Sequence, residues 1–111
     1  MREADSSWYA VRCIFASGWP ADTAQTYEER ITLWRAASDD EAIALAEDEA
    51  RDYAGTIELS PDTYLGLAQS YRLADEPGVG AEVFSLLRTS DLAPEQYLDT
   101  FFDNGGERQR G

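Results

Sequence analysis

The side chains that could do chemistry in this chain are carboxylates, one thiol and nine guanidinium groups; its 111 residues include no histidine and no lysine. Acid-base catalysis near neutral pH draws first on imidazole, and covalent amine chemistry draws on lysine. With both missing, proton transfer would fall to a carboxylate raised in pKa by burial or to the thiol of Cys13. Glu28, Glu29, Glu58 and Glu82 are the carboxylates to consider, and Glu28 with Glu82 could share a sheet face as glycosidase carboxylates do, but no cleft accompanies them. Cys13 stands between Arg12 and Ile14, with Val11 and Phe15 at its parity, and has no base beside it; it reads as a small core hydrophobe.

Metal and phosphate chemistry fare no better. Zinc is usually held by several Cys and His together. The runs Asp39-Asp40-Glu41 and Glu47-Asp48-Glu49 are contiguous on a helix and lack the alternating loop spacing that wraps calcium. Gly78-Val79-Gly80 is a short turn, and a phosphate-binding loop would need a lysine. The expectation is a protein with no catalytic residue, no metal and no cofactor.

Charge narrows the partners. Twenty-two acidic residues against nine Arg give −13, which repels nucleic acid and anionic lipid alike. Neither nucleic acid nor a membrane is expected to bind, and no run approaches the ~18 apolar residues of a membrane span. The opening Met1 to Ser7 has neither a basic nor an apolar leader region, so the expected compartment is the cytoplasm. The lone cysteine excludes an intrachain disulfide. A 43% apolar content with three Trp, six Tyr and four Phe is that of a globular chain, and the length suits one domain. We expect a flexible N-terminus over 1–7, a single α+β domain over 8–104 and a disordered tail over 105–111.

The elements that must position any site follow from the patterning. Trp8 to Ala16 is rich in β-branched and aromatic residues and ends at Gly18-Trp19-Pro20, which predicts a strand; Tyr27 to Arg35 alternates and predicts a second, antiparallel to the first. Ser38-Asp-Asp-Glu41 is a capping box. The helix it opens gathers Ala42, Ile43, Ala46, Ala50, Tyr53 and Ala54 on one face, leaves its acids outside, and stops at Gly55. After Ser60-Pro61-Asp62, Tyr64 to Arg72 suits a short helix or a strand. We take the strand, because Ala81 to Arg88 is a strong strand candidate in need of a neighbour and Leu73 to Gly80 could turn between them. Pro94 opens a final short helix with Tyr97, Leu98, Phe101 and Phe102 on its apolar side. The expected fold is α+β in the order ββαββα: a four-stranded, mainly antiparallel sheet, the long acidic helix on one face and a short C-terminal helix.

Period-two parity then suggests a site. If the helix face takes Val11, Cys13, Phe15, Ile31 and Leu33, the other face carries Trp8, Arg12, Ile14, Glu28, Arg30, Thr32 and Trp34. Tyr64, Ala68, Ser70 and Arg72, with Glu82, Phe84, Leu86 and Arg88, could extend it. Trp, Tyr and Arg are enriched at protein interfaces. Trp8, Arg12, Arg30, Trp34, Arg72 and Glu82 are thus the candidate partner-binding residues. The alternative is that the C-terminal helix covers this face and the tryptophans are core.

Trp8-Tyr-Ala-Val-Arg12, Tyr27-Glu-Glu-Arg-Ile31 and Arg35-Ala-Ala-Ser-Asp-Asp-Glu-Ala42, followed by an alanine-rich acidic helix, with Tyr71-Arg-Leu73 and Gly80-Ala-Glu-Val-Phe-Ser85, resemble a small bacterial family known only as a domain of unknown function, DUF4288. The likeness runs from Trp8 to about Phe102 and implies a bacterial single-domain α+β protein; it transfers no catalytic residue. The functional expectation is a non-catalytic acidic protein-binding domain, in its most concrete form an immunity-like or antitoxin-like inhibitor of a basic partner. The alternatives are a self-associating homodimeric module and a small-molecule binder or enzyme using a buried carboxylate.

Overall fold

Ten residues at the centre of the fold, Ser7–Ala16, form strand β1, and its odd positions Tyr9, Val11, Cys13 and Phe15 are buried. That alternation, broken at Ala10, which is buried as well, is the signature of a strand with one face on a core. β2, Tyr27–Ala36, and β3, Thr63–Arg72, flank it, both antiparallel, in the order β2-β1-β3. The computed structural model describes residues 6–17, 25–56 and 62–102. The expected flexible stretch meets it only in part, since β1 already begins at Ser7; residues 1–5, the tail over 105–111, the Gly18-Trp19-Pro20 terminator and Glu58 lie outside the described residues.

Between β2 and β3 the chain forms helix α1, Asp39–Ala54. Ser38 caps it, its Oγ accepting from the Glu41 amide at 3.1 Å, while Glu41 Oε1 reaches back to the Ala37 amide at 3.2 Å. The first bond satisfies an amide that a helix start leaves without a partner, and the second ties the residue before the cap to the first turn. Ala42, Ala46, Ala50 and Ala54 face the sheet and are buried. Side chains this short let α1 lie close on the strands, so the core between them is thin: Phe15 and Val11 are its largest fully buried side chains.

The fold is α+β, but among the described residues it has three strands and two helices, in the order ββαβα. The expected fourth strand over Ala81 to Arg88 does not form; none of these residues joins a ladder. Strand propensity is expressed through a hydrogen-bonded neighbour, and here Ala81 bonds back to Gly78 O within the turn at Gly80, φ 79°, instead of to β3. Phe84 instead lies against Tyr71 of β3, ring centroids 5.9 Å apart, and under the guanidinium of Arg12 in β1 at 5.2 Å. Residues 81–93 thus form an arm laid across the sheet, and helix α2, Pro94–Phe101, ends it with no residue buried.

Candidate functional site

Register decides which side chains can act together. β1 pairs Ala16 with Tyr27 and Ser7 with Ala36, so odd positions of β1 stand opposite even positions of β2: Tyr9 with Trp34, Val11 with Thr32, Cys13 with Arg30. Directly opposed residues share a face. Glu28, Arg30, Thr32 and Trp34 therefore point toward α1, and Ile31 and Leu33 point away, opposite Arg12 and Ala10. This reverses the expected assignment of β2. Apolarity alone misassigned it; with a connection this long between Ala16 and Tyr27 the parity is set by the pairing itself.

The polar groups of the helix face are used internally. Arg30 forks onto Glu49 of α1, 2.5 and 2.9 Å to its two carboxylate oxygens, and stacks on the Tyr53 ring at 3.8 Å. Tyr53 donates to Glu28 at 2.8 and 3.0 Å, and Tyr64 to Glu47 at 2.5 Å. The two tyrosines flank Phe15, their ring centroids 5.3 and 5.5 Å from its own. Trp34 packs at the margin of the core and donates from Nε1 to Thr32 at 2.6 Å.

These contacts set the proton affinities. Burial pushes the Cys13 thiol above its usual 9.0, an effect that the carboxylates of Glu47 and Glu49 add to and that Tyr64 and Arg30 oppose. A thiol that resists ionisation is a poor nucleophile. Burial and then the bond to Glu47 raise Tyr64 well above the ordinary phenol range. The bond to Glu49 is the largest influence raising Arg30, whose guanidinium stays charged.

The opposite face, the open one, is covered only in part, with Ala10 at its centre fully buried. From β1 it takes Trp8, Ala10, Arg12 and Ile14; from β2 Tyr27, Glu29, Ile31, Leu33 and Arg35. In β3 a bulge sets Leu65, Gly66 and Leu67 against the single Ile14, with Gly66 at φ 82°. The bulge keeps Tyr64 and Ala68 turned inward opposite Phe15 and Cys13, and the alternation sends Leu65 and Leu67 outward. Arg12 crosses the centre of this face. It donates to Gln69 Oε1 from Nε at 3.1 Å and from Nη2, and pairs with Glu29 at 3.3 Å. Tyr71 donates to Glu82 of the arm, which raises its pKa. Arg12, Glu29, Leu86, Arg88, Tyr97 and Phe101 border a shallow depression of about 320 Å³ between sheet and arm.

Of the six candidate residues, the structure brings Trp8, Arg12 and Glu82 to the open face. Arg30, Trp34 and Arg72 belong to the other, Arg72 opposite Tyr9 at the exposed end of β3. Trp8 lies beneath the guanidinium of Arg35 at 5.5 Å, and its buried Nε1 meets no acceptor among the described residues. Tyr27, Leu65 and Leu67, which were not expected on this face, and Ile31 and Leu33, which were expected on the helix face, are all between two-fifths and three-fifths exposed. The carboxylates weighed for catalysis do not converge: Glu28 is bonded toward α1, Glu29 and Glu82 lie on the open side. Among the described residues no helix is long and apolar enough to cross a membrane. No family model, curated protein or solved structure matches the chain.

Proposed function

We propose that this chain is a non-catalytic protein-binding domain whose binding surface is the open face of its sheet together with the arm. One observation carries the reading: Tyr27, Ile31, Leu33, Leu65 and Leu67 stay exposed even with the arm laid over the strands. An apolar surface of this extent, rimmed by Arg and Glu, is the composition of an interface rather than of a solvated face. The helix face offers a partner little, since Arg30, Glu28 and Tyr64 are spent on α1. The low nucleophilicity of Cys13 and the scatter of the carboxylates favour binding over catalysis.

A second reading, the inhibitor of a basic partner, draws on α1, where Asp39, Asp40, Glu41, Asp48 and Asp52 are exposed. Association on that helix would slow steeply with salt. Capture from native lysate at low salt separates the two. The open-face reading expects a stoichiometric protein with the wild type and with Asp48→Asn/Asp52→Asn, and its loss with Leu67→Asp. Retention by Leu67→Asp and loss on neutralising α1 would move the site to the helix.

A further inference from the structure

Apart from its open face, the sheet has two edges. We infer that the outer edge of β2 pairs antiparallel with β2 of a second copy, about a two-fold axis at Thr32, and joins two three-stranded sheets into one of six. Both β2 and β3 are edge strands, and an exposed ladder recruits another strand unless something blunts it. β3 is blunted. Its bulge breaks the register between Cys13 and Phe15, Gly66 stands there at φ 82°, and Tyr71 near its end is engaged by Glu82 and Phe84 of the arm. β2 has none of these devices: it holds unbroken register with β1 over all ten residues, contains neither glycine nor proline, and pairs with no other strand among the described residues. At ~3.3 Å per residue this leaves ~33 Å of ladder on its outer side.

Charge is the other common defence of an edge, and here the charges attract. Opposed residues of an antiparallel pair share a face, so their positions differ by an even number and the two-fold axis passes through a residue. Centred on Thr32, Glu29 meets the partner's Arg35 and Ile31 meets the partner's Leu33, each pair occurring twice. Centring on Ile31 sets Glu29 against the partner's Leu33, and centring on Leu33 sets Ile31 against the partner's Arg35. Of the three, the Thr32 register alone matches opposite charges with each other and apolar with apolar. These side chains are accessible: Ile31 and Leu33 are 44% and 41% exposed, Arg35 is exposed over Trp8, and the side chain of Glu29, which meets Arg12 through Oε1, is 62% exposed. Exposed ion pairs add little energy; their part is to fix the register of a ladder that supplies the contact.

An axis normal to the sheet places both α1 helices on one side of the six strands. α1 packs more on β3, the strand farthest from the axis, than on β2, so the two acidic helices stand apart, and salt screens what repulsion remains beyond ~8 Å. The open faces fall side by side on the other side. The edge contact therefore goes beyond the proposed function and leaves the surface proposed for another protein uncovered in both copies.

Sedimentation velocity of the full chain tests the pairing. We expect a dimer at ~100 µM. Glu29→Arg sets Arg against Arg at both ends of the ladder and should weaken the dimer about 10-fold, as should Leu33→Lys, a charge of the kind that natural edges carry. Glu29→Arg/Arg35→Glu returns opposite charges to the same register and should recover the wild-type dimer. Circular dichroism checks that each variant keeps the fold. Leu67→Asp, on β3, should leave the dimer intact, so failure of this inference and failure of the proposed binding surface are read from different variants. A chain that stays monomeric at ~100 µM, or a dimer indifferent to both Glu29→Arg and Leu33→Lys, overturns the inference. A double variant no more dimeric than Glu29→Arg overturns the register about Thr32.

Discussion

Arg30 and Leu33 are three positions apart on β2 and do opposite things, because one odd and one even step along a strand reach different faces. Arg30 is half-buried, forked onto Glu49 and stacked on Tyr53. Arg30→Met should lower stability by ~1–2 kcal/mol in urea melts, a value for charged hydrogen bonds reduced for partial exposure. Titration belongs to this scale too. Cys13 and Tyr64 hold their protons more tightly in the folded chain, so the stability that they lend is complete below their unfolded values and is lost as pH rises through the folded ones. The urea midpoint should accordingly fall as pH climbs past the ordinary thiol value of 9.0, and Tyr64→Phe should flatten the decline; an undiminished slope in that variant would assign the loss to other groups. Cys13 should resist alkylation in the native protein at pH ~8 and react once the chain is unfolded.

At the scale of the element, local signals carried furthest. Ser38 and Glu41 mark the start of α1, and the alanine stripe marks its buried side, from contacts that span only a few residues. Ser38→Ala should cost about 1 kcal/mol. Ala46 is buried against the strands, so Ala46→Leu should force helix and sheet apart at a cost of ~1–3 kcal/mol. Both are read from chemical melts. Pro94 likewise marks α2 by itself. What the sequence could not show was decided between elements. The residues from Ala81 to Arg88 look like a strand because they alternate and are β-prone, yet a strand needs a partner edge, and the course of the connector past Gly80 is a tertiary fact. Ile31 and Leu33 were assigned inward because they are apolar. The helix face instead takes Arg30 and Glu28, whose partners Glu49 and Tyr53 come from α1.

For the whole molecule, the same misassignment hid much of the candidate site. Trp8 and Arg12 were legible as open-face residues by parity, whereas Glu82 reaches that face from a segment that forms no strand, and Ile31 and Leu33, which are exposed there, were assigned to the helix face. The two sides of the sheet now differ in kind. One is a thin, alanine-lined core closed by the Arg30–Glu49 pair and tyrosine hydroxyls under an acidic helix; the other is apolar, of mixed charge and only partly covered by an arm that buries none of its own helix. A single chain leaves that second side unfinished, and the central claim is that another protein surface finishes it.

Hydroxyl-radical footprinting of the purified chain alone and in the complex captured from native lysate reads that claim residue by residue. The account predicts that Tyr27, Leu33, Leu67, Leu87 and Phe102 lose reactivity in the complex, while Leu45 on the exposed side of α1 does not change. Protection confined to α1, or reactivity at Leu67 and Leu87 that is the same in both, would contradict it.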